Sequence, residues 1–324
     1  MRSLGVDLGG TNIKVGLVDQ FDGVLEQTTL KTEANKGPDH IIDQLLRGCD
    51  RVSEGYDAST IHGIGIGSPG TVNLARTTIA HPPNMPGWKV VNVAEAVQQR
   101  RGSDLRVVVE NDANAAGLGS AFFGAGRPFD SFLMVTIGTG VGGAIIHEKR
   151  LFRGVSGAAG EFGHVSIDYE GPPSRAGTTG AIEAYIGKEF LSEYARYRLL
   201  NRPDTAVHEM TGPDLAELDS EILYRAALDG DKPAQEVLAW AGHKLGRMLG
   251  SLVNVLDIRK VVVGGGVSAA GAYILDPARE SLWDGAMPAF RDGLELVQET
   301  LGNEVGILGA AHLIFERIED EKQG

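Results

Sequence analysis

The chain has 324 residues, which at roughly 100–200 residues per domain predicts about two domains. Its 30 Lys and Arg residues and 43 Asp and Glu residues give a formal net charge of −13, without the basic stripe of a nucleic-acid binder or an apolar run long enough to span a membrane. The single cysteine, Cys49, excludes an intramolecular disulfide. The residues before the first glycine turn leave no room for a secretory leader, and together these two observations predict a cytoplasmic location.

Glycine is the residue type whose frequency departs most from the ordinary. The chain has 45 glycines, about twice the usual share. They occur in short bursts flanked by Val, Ile and Leu. This arrangement predicts strands that enter tight turns close to a ligand.

The first part of the chain predicts a strand, a tight turn at Gly9–Gly10 and a second strand over residues 5–19, with a third strand over 22–32. Apolar residues at helical spacing predict a helix over about 38–54, where Cys49 is expected to be buried. Further along, the pattern predicts a strand and turn at 61–70, a helix at 93–101, a strand at 105–110 and a helix at about 113–123.

A second glycine burst at 134–146 matches the first at an offset of 129 residues when Gly9 is set against Gly138. We interpret the match as a duplicated α/β unit with one phosphate-type turn per half and a cleft between two lobes. The remaining predicted elements are helices at about 180–198, 214–229 and 231–256, a strand with a glycine turn at 260–271, and a last helix at about 305–318.

The glycine turns do not match the common nucleotide motifs. The G-x-G-x-x-G match at 65–70 contains Pro69, and the match at 138–143 runs into a strand instead of a helix, so neither predicts dinucleotide binding. A P-loop motif is absent. What remains is a strand–turn–strand phosphate site used twice, once after Asp7, whose carboxylate at a strand end can hold a hydrated Mg²⁺.

Six motifs, in order along nearly the whole chain, resemble those of the ROK family of sugar kinases. They are GVDLGGTNIKVGLVD (5–19), GSPGTVN (67–73), VENDANAAGLG (109–119), VTIGTGVGGAII (135–146), GEFGH (160–164) and VVVGGGVS (261–268).

The resemblance implies an α/β protein with the two-lobe actin-like, Hsp70-like ATPase fold, built from ribonuclease H-like duplicated domains around a central cleft. We expect residues 1–115 plus about 305–324 to form a smaller N-terminal lobe and residues 116–304 to form a larger one.

The resemblance also implies transfer of a phosphoryl group from MgATP to a hexose hydroxyl. Asp112 is the expected catalytic base, and it lies among the expected sugar-binding residues Gly70, Asn84, Asn111, Glu161, His164 and Glu183. Asp7 is the expected Mg²⁺ residue, acting through ATP. The expected nucleotide-binding residues are Gly9, Gly10, Thr11, Asn12, Gly138, Thr139, Gly140, Gly265 and Gly266.

One segment departs from the family pattern. Members usually carry three cysteines of a zinc site after the GEFGH motif, and here Ser174, Ala176 and Ala181 stand at those positions. A zinc site needs about four nitrogen or sulfur ligands, and only His164 is left. We therefore expect the loop to be retained, with Glu183, but without structural zinc.

Several alternatives stay open. Glucose, phosphorylated at O6, is the first choice of substrate, and N-acetylglucosamine, N-acetylmannosamine, mannose and fructose are the others; polyphosphate is an alternative donor. A catalytically inactive sugar sensor is disfavoured by the intact Asp7 and Asp112. A ROK transcriptional repressor would carry a helix-turn-helix module ahead of the first motif, where six residues precede Asp7. We expect no nucleic-acid or membrane partner, and a homodimer or homotetramer.

Overall fold

The computed structural model of this chain describes residues 1–323. Its strands, in chain order, are β1 (Arg2–Leu8), β2 (Asn12–Asp19), β3 (Gly23–Lys31), β4 (Ile61–Ser68), β5 (Thr71–Val72), β6 (Thr78–Ala80), β7 (Val90–Asn92), β8 (Val107–Asn111), β9 (Phe132–Ile137), β10 (Val141–His147), β11 (Arg150–Leu151), β12 (Lys260–Gly264) and β13 (Glu295–Gln298).

The α-helices are α1 (Pro38–Ser53), α2 (Val93–Arg101), α3 (Asp112–Phe123), α4 (Glu183–Ile186), α5 (Lys188–Leu199), α6 (Val207–Thr211), α7 (Ser220–Leu228), α8 (Lys232–Leu256), α9 (Ala272–Gly285) and α10 (Glu304–Gln323). Within residues 1–323, none of these helices combines the length and the apolar character needed to cross a membrane.

Two five-stranded sheets repeat one strand order. The first has the order β3-β2-β1-β4-β8, and the second has the order β11-β10-β9-β12-β13. In the first sheet β1, β4 and β8 are parallel, and β2 and β3 are antiparallel additions. In the second sheet β9, β12 and β13 are parallel, and β11 is antiparallel to β10. The repeated order agrees with the duplication that the two glycine bursts predict.

Contacts between Cα atoms divide the chain into two compact units. Unit 1 contains Met1–Asp130, Ala144–Gly160 and the residues from Leu301 onwards, and unit 2 contains Ser131–Gly143 and Glu161–Thr300. The predicted boundary between residues 115 and 116 would fall inside α3, which lies wholly in unit 1. The division into a smaller and a larger lobe around a cleft stays a prediction.

The core of unit 1 forms between the first sheet and the helices that cover it. The apolar face of α1 packs on β1 and β2, and Cys49 on that face is only 3% exposed. Burial raises the pKa of the Cys49 thiol to about 12, so this cysteine is an inert core residue. The largest fully buried side chains of this core include Leu8, Ile13, Leu17, Ile41, Ile42, Leu45 and Ile66.

Glycines also let α10 lie unusually close to the first sheet. A Cβ atom added to Gly5 would lie 2.0 Å from the carbonyl oxygen of Ile307, and one added to Gly65 would lie 1.7 Å from that of Ala310. Gly119 has the same relation to Val305 in the packing of α3 on α10. The prediction that the glycine bursts serve ligand-binding turns is therefore incomplete, since several of them serve backbone packing.

Unit 2 shows where the predicted helix boundaries were wrong. The helix predicted over 180–198 is broken at Gly187 into α4 and α5. The helix predicted over 214–229 begins only at Ser220, because the Asp219 carboxylate caps it by accepting hydrogen bonds from the main-chain nitrogens of Glu221 and Ile222. Among the described elements, α6, α9, β13 and the small antiparallel sheet β5-β6-β7 were not predicted.

Candidate functional site

The parallel strands of unit 1 bring several predicted site residues to one edge of the first sheet. Asp7 at the end of β1 pairs in register with Gly67 on β4, and Ser68 pairs with Asn111 at the end of β8. The carboxyl ends of neighbouring parallel strands are the usual place for ligand-binding groups in α/β sheets. Asp7, Asn111 and the loop that follows β4 therefore lie at the edge where a ligand is expected.

The turn after β1 is held by a small set of hydrogen bonds. The main-chain nitrogen of Gly9 donates to the carbonyl of Asn12 at 3.0 Å. Thr32 fixes the turn from β3's end, because its hydroxyl donates to the Gly9 carbonyl at 2.6 Å and its nitrogen to the Thr11 carbonyl at 3.0 Å. Thr11 itself is exposed. The turn is thus hydrogen-bonded at its base and exposed to solvent at Thr11.

Asn84, a predicted sugar-binding residue, lies against this same turn. A Cβ atom added to Gly10 would lie 3.1 Å from the Cβ atom of Asn84, so a larger residue at position 10 would make this contact tight. Asn84 has a left-handed backbone with φ of 63° and is exposed. Asparagine is among the residues that adopt this conformation most readily.

Asp7 has a cationic neighbour and a partly buried carboxylate. Its Oδ2 atom lies 3.5 Å from Nζ of Lys14, which also donates to the Asn303 side chain at 3.0 Å. Burial raises the pKa of Asp7, and the charge of Lys14 opposes that rise. Within residues 1–323 no group of three or more His, Cys, Asp and Glu residues could hold a metal ion. One carboxylate at a strand end fits a Mg²⁺ ion that keeps its waters and binds substrate phosphates, and does not fit an all-protein metal cage.

The catalytic candidate Asp112 is the first residue of α3 and is exposed. Its Oδ1 atom accepts a hydrogen bond of 2.8 Å from the nitrogen of Ala113. The helix cap is the preceding residue: Asn111 Oδ1 accepts from the nitrogens of Ala113 and Asn114 at 2.9 and 3.2 Å. Because Asn111 caps the helix, Asp112 is not needed for that structural task.

Asn111 also connects to the glycine after β4. Its Nδ2 atom donates to the carbonyl of Gly70 at 3.4 Å. Gly70 has φ of 95°, and an added Cβ atom would lie 2.8 Å from the Ala80 carbonyl, so this position requires glycine. Three predicted site residues of unit 1, Gly70, Asn111 and Asp112, thus form one connected group.

Behind this group is a buried ion-pair cluster that none of the sequence motifs predicts. Glu110 is fully buried, and its carboxylate lies 3.1 Å from Nε of Arg76 and 2.8 Å from Nε of Arg153. Burial lowers the pKa of Arg76, and the charges of Glu316 and Glu110 more than offset this and raise it. The available signal was the single charge in the apolar run VVVEN, residues 107–111.

In unit 2 the second glycine turn is connected to Glu183 at the start of α4. Glu183 Oε2 accepts a hydrogen bond of 3.1 Å from the nitrogen of Val141, the residue after the turn Gly138–Thr139–Gly140. A Cβ atom added to Gly140 would approach Glu183 Oε2 to 2.4 Å. The turn is also tied to α5, because the nitrogen of Lys188 donates to the Gly138 carbonyl at 2.9 Å.

The GEFGH segment packs against Val141, the residue whose nitrogen donates to Glu183. A Cβ atom added to Gly163 would lie 2.1 Å from the Val141 carbonyl. Within this segment His164 Nε2 lies 3.8 Å from Glu161 Oε2. The turn after β12 is adjacent as well, since an added Cβ at Gly265 would lie 2.4 Å from the carbonyl of Ile137, the last residue of β9. Gly265 and Gly266 are exposed.

The loop that we expect to be retained without zinc is a small hairpin. Pro173 pairs with Thr179 and Ser166 with Ala181 as antiparallel bridges. Ser174, at one cysteine position, accepts a hydrogen bond of 3.2 Å at its hydroxyl from the nitrogen of Thr178. At the base of the loop the Tyr185 hydroxyl donates to Asp168 Oδ2 at 3.1 Å. Serine and alanine side chains do not supply the donors that zinc requires.

A family model described as the ROK family matches residues 3–317. A glucokinase of Thermotoga maritima is 34% identical over 319 residues, covering 98% of each chain. The solved structure of a ROK family glucokinase from Streptomyces griseus, in complex with glucose and AMPPNP, is 33% identical with a TM-score of 0.85, covering 98% of this chain and 100% of that chain. A xylose repressor of Caldicellulosiruptor bescii is 27% identical, and the match covers 96% of this chain and 77% of the repressor.

Proposed function

This chain belongs to the ROK family, and we propose that it transfers the γ-phosphoryl group of MgATP to the O6 hydroxyl of glucose. The observation that carries the proposal is the exposed Asp112 carboxylate at the start of α3, where the preceding Asn111 supplies the helix cap. The similarity to glucokinases along almost the whole chain supports a sugar phosphotransferase.

In the proposed reaction Asp112 accepts the proton of the sugar hydroxyl and orients its oxygen toward the γ-phosphorus. The transition state of phosphoryl transfer is loose, so orientation of the nucleophile and late acceptance of its proton suffice for a carboxylate. Asp112 is exposed and is the first residue of α3. Its location at the carboxyl end of β8 matches where ligands bind on parallel sheets.

For the sugar we propose recognition by amide, carboxylate and imidazole groups, which suit the donor and acceptor pattern of hydroxyl groups. Asn84, Asn111, Glu161, His164 and Glu183 would supply the side chains. The backbone at Gly70 would contribute as well. This position has no room for a Cβ atom, so its main chain is not covered by a side chain of its own.

For the nucleotide we propose backbone contacts from the turns at Gly9–Asn12 and Gly138–Gly140 to the phosphates, because nitrogens of glycine turns bind anions. Gly265 and Gly266 would lie at the adenosine. Asp7 would hold Mg²⁺ through its water shell, and the ion would neutralise charge on the phosphates. Lys14, beside Asp7, adds a positive charge to the same region.

The decisive experiment measures ADP release with MgATP and each of glucose, mannose, fructose, N-acetylglucosamine and N-acetylmannosamine. With polyphosphate replacing ATP, it measures the sugar phosphate that forms. We expect the highest kcat/KM with glucose and ATP. NMR should identify the product as glucose 6-phosphate. A different preferred hexose would correct the substrate and keep the reaction class. No ADP release with any sugar, and no sugar phosphate with polyphosphate, would reject the kinase proposal.

The xylose repressors among the relatives make a sugar-binding regulator the second candidate. It is distinguished by sugar-dependent thermal stabilisation without ADP release.

We further propose a cytoplasmic location, which fractionation of cells would test. We also propose a homodimer or homotetramer, which light scattering of the purified protein would test.

A further inference from the structure

We propose that Glu110 is a positioning residue that fixes the first turn of α3, and with it Asp112, for phosphoryl transfer; the kinetic part of this inference rests on the proposed function. Glu110 is the next-to-last residue of β8, and its side chain is 0% exposed. A buried carboxylate is costly unless its oxygens are paired with charges and hydrogen-bonded. Where each oxygen finds its partners therefore indicates what the residue does.

The Oε1 atom faces α3. It accepts hydrogen bonds from the main-chain nitrogen of Asn111 at 2.9 Å and from Nδ2 of Asn114 at 3.1 Å. These two residues stand on either side of Asp112 in the sequence. Because Asn111 also caps the helix, Oε1 anchors both the cap and the inner side of the turn that carries Asp112.

The Oε2 atom faces two arginines. It lies 3.1 Å from Nε of Arg76 and 2.8 Å from Nε of Arg153. Arg153 is itself tied to the chain, because its guanidinium group donates to the carbonyls of Asn73 and Leu74 at 3.2 Å each. Arg76 Nε donates a hydrogen bond to this oxygen, whereas Arg153 contributes its charge without a hydrogen bond from Nε. Both cations favour the orientation in which Oε2 faces them, so Oε1 stays directed at the turn.

Asn114 supports a functional reading of this contact. Its side chain is 2% exposed, and its buried Oδ1 atom has no hydrogen-bond partner among the described protein groups. A buried unpaired acceptor lowers stability, and an apolar residue would remove that cost. An asparagine that carries this cost and donates to Glu110 indicates that the contact serves the geometry of the turn.

The test compares Glu110→Gln with the matched control Glu316→Gln. Glu316 pairs with the same Arg76, at 2.7 Å, and has no hydrogen bond to residues 111–114 among the contacts of the described chain. A glutamine has a single acceptor oxygen, and the two arginines favour that oxygen on their side, which leaves an NH₂ group facing the donors of Asn111 and Asn114. We therefore expect Glu110→Gln to lower kcat at least about ten-fold with the KM for ATP changed less than about three-fold, the pattern of a lost transition-state interaction. Glu316→Gln should keep kcat within about two-fold. Equal kcat values for the two variants would overturn the proposal.

A second variant covers the case in which Glu110→Gln does not fold. Asn114→Leu removes the donor to Glu110 Oε1 and the unpaired Oδ1 together, so its melting temperature should stay close to that of the wild type. We expect its kcat to fall by about ten-fold. Wild-type kcat in a folded Asn114→Leu protein would contradict a positioning role.

Hydrogen exchange separates this inference from the proposed function. The amides of Ala113 and Asn114 should exchange faster in Glu110→Gln or Asn114→Leu than in Glu316→Gln, whatever the wild type catalyses. Absence of sugar-dependent ADP release in the wild type would reject the kinase proposal and leave this measurement valid. Equal exchange of the two amides in all variants would overturn the positioning role.

Discussion

The carboxylate of Glu183 accepts a hydrogen bond of 3.1 Å from the main-chain nitrogen of Val141, directly after the second glycine turn. A residue proposed to bind the sugar is therefore also a structural support of a turn proposed to bind phosphate. The two roles depend on different properties of the side chain, because the hydrogen bond to Val141 needs only an acceptor.

Two substitutions of Glu183 separate those roles. Glu183→Gln keeps an acceptor for Val141, so we expect it to raise the KM for the sugar about ten-fold with the KM for ATP nearly unchanged. Glu183→Ala removes the support of the turn and should raise both KM values. Steady-state kinetics with each substrate varied in turn makes the comparison, and an unchanged KM for ATP in Glu183→Ala would contradict the supporting role.

Replacement of the candidate base should abolish turnover without abolishing binding. We expect Asp112→Asn to lower kcat by roughly 10²–10⁴-fold, the usual contribution of general-base catalysis. Glucose binding, measured by calorimetry, should persist because the amide keeps the size of the side chain. The matched control is Asp104→Asn, an exposed aspartate ahead of the opposite end of β8. An Asp112→Asn enzyme with more than half of the wild-type kcat would exclude this residue as the base.

A buried histidine in unit 1 predicts a pH dependence of stability. Burial, with a smaller effect of Arg76, lowers the pKa of His312 to about 3, and the ring stacks on Phe122 with centroids 3.6 Å apart. Below an unfolded-state pKa of about 6.5 the unfolded chain binds a proton that the folded chain does not, so stability falls as pH falls.

Between about pH 6.5 and pH 5 this group alone should lower the free energy of unfolding by about 2 kcal/mol. Urea unfolding at both pH values should show the decrease in the wild type and a smaller decrease in His312→Gln. The control is His62→Gln, a substitution of the half-buried second residue of β4. It should show the same decrease in the free energy of unfolding as the wild type. An identical pH dependence in all three proteins would show that His312 titrates normally.

The hydrogen bond between Tyr185 and Asp168 should stabilise the hairpin loop that contains Ser174. Tyr185→Phe removes the donor and should lower the free energy of unfolding by about 1 kcal/mol. Tyr169→Phe is the control, since Tyr169 is 92% exposed in the same loop.

Chelation completes this test of the loop. Treatment with a chelator, followed by restoration of Mg²⁺, should leave both the melting temperature and the activity unchanged, and elemental analysis should find no stoichiometric zinc. A loss of either property that only zinc restores would refute the expectation of a zinc-free loop.

Local patterns were sufficient to predict the strands that flank each glycine turn. Apolar residues alternate through Ile13, Val15 and Leu17, and all three are buried in β2. The alternation reflects one buried face, which is a local property of a strand. The prediction of one helix over 180–198 was wrong because the apolar pattern continues through Gly187, where the chain leaves the helical conformation between α4 and α5.

Long-range pairs account for what the sequence could not predict in the candidate site. Arg153 and Glu110 are far apart in the chain, and their ion pair depends on the path of the segment after β11. The contact of Asn84 with Gly10 likewise depends on a loop whose left-handed turns have no periodic signal. Motifs can identify which residue types are present at a site, but the neighbours that orient them come from tertiary structure.

The packing of α10 against Gly5 and Gly65 has a consequence for biosynthesis. On the ribosome β1 emerges first, whereas α10 is translated only after every residue of unit 2. One face of the first sheet therefore stays uncovered until α10 is translated, at a stage when all residues of unit 2 have already been synthesised. Nascent chains of this protein are expected to need protection at β1 and β4 until the last helix arrives, since exposed apolar strands are prone to aggregate.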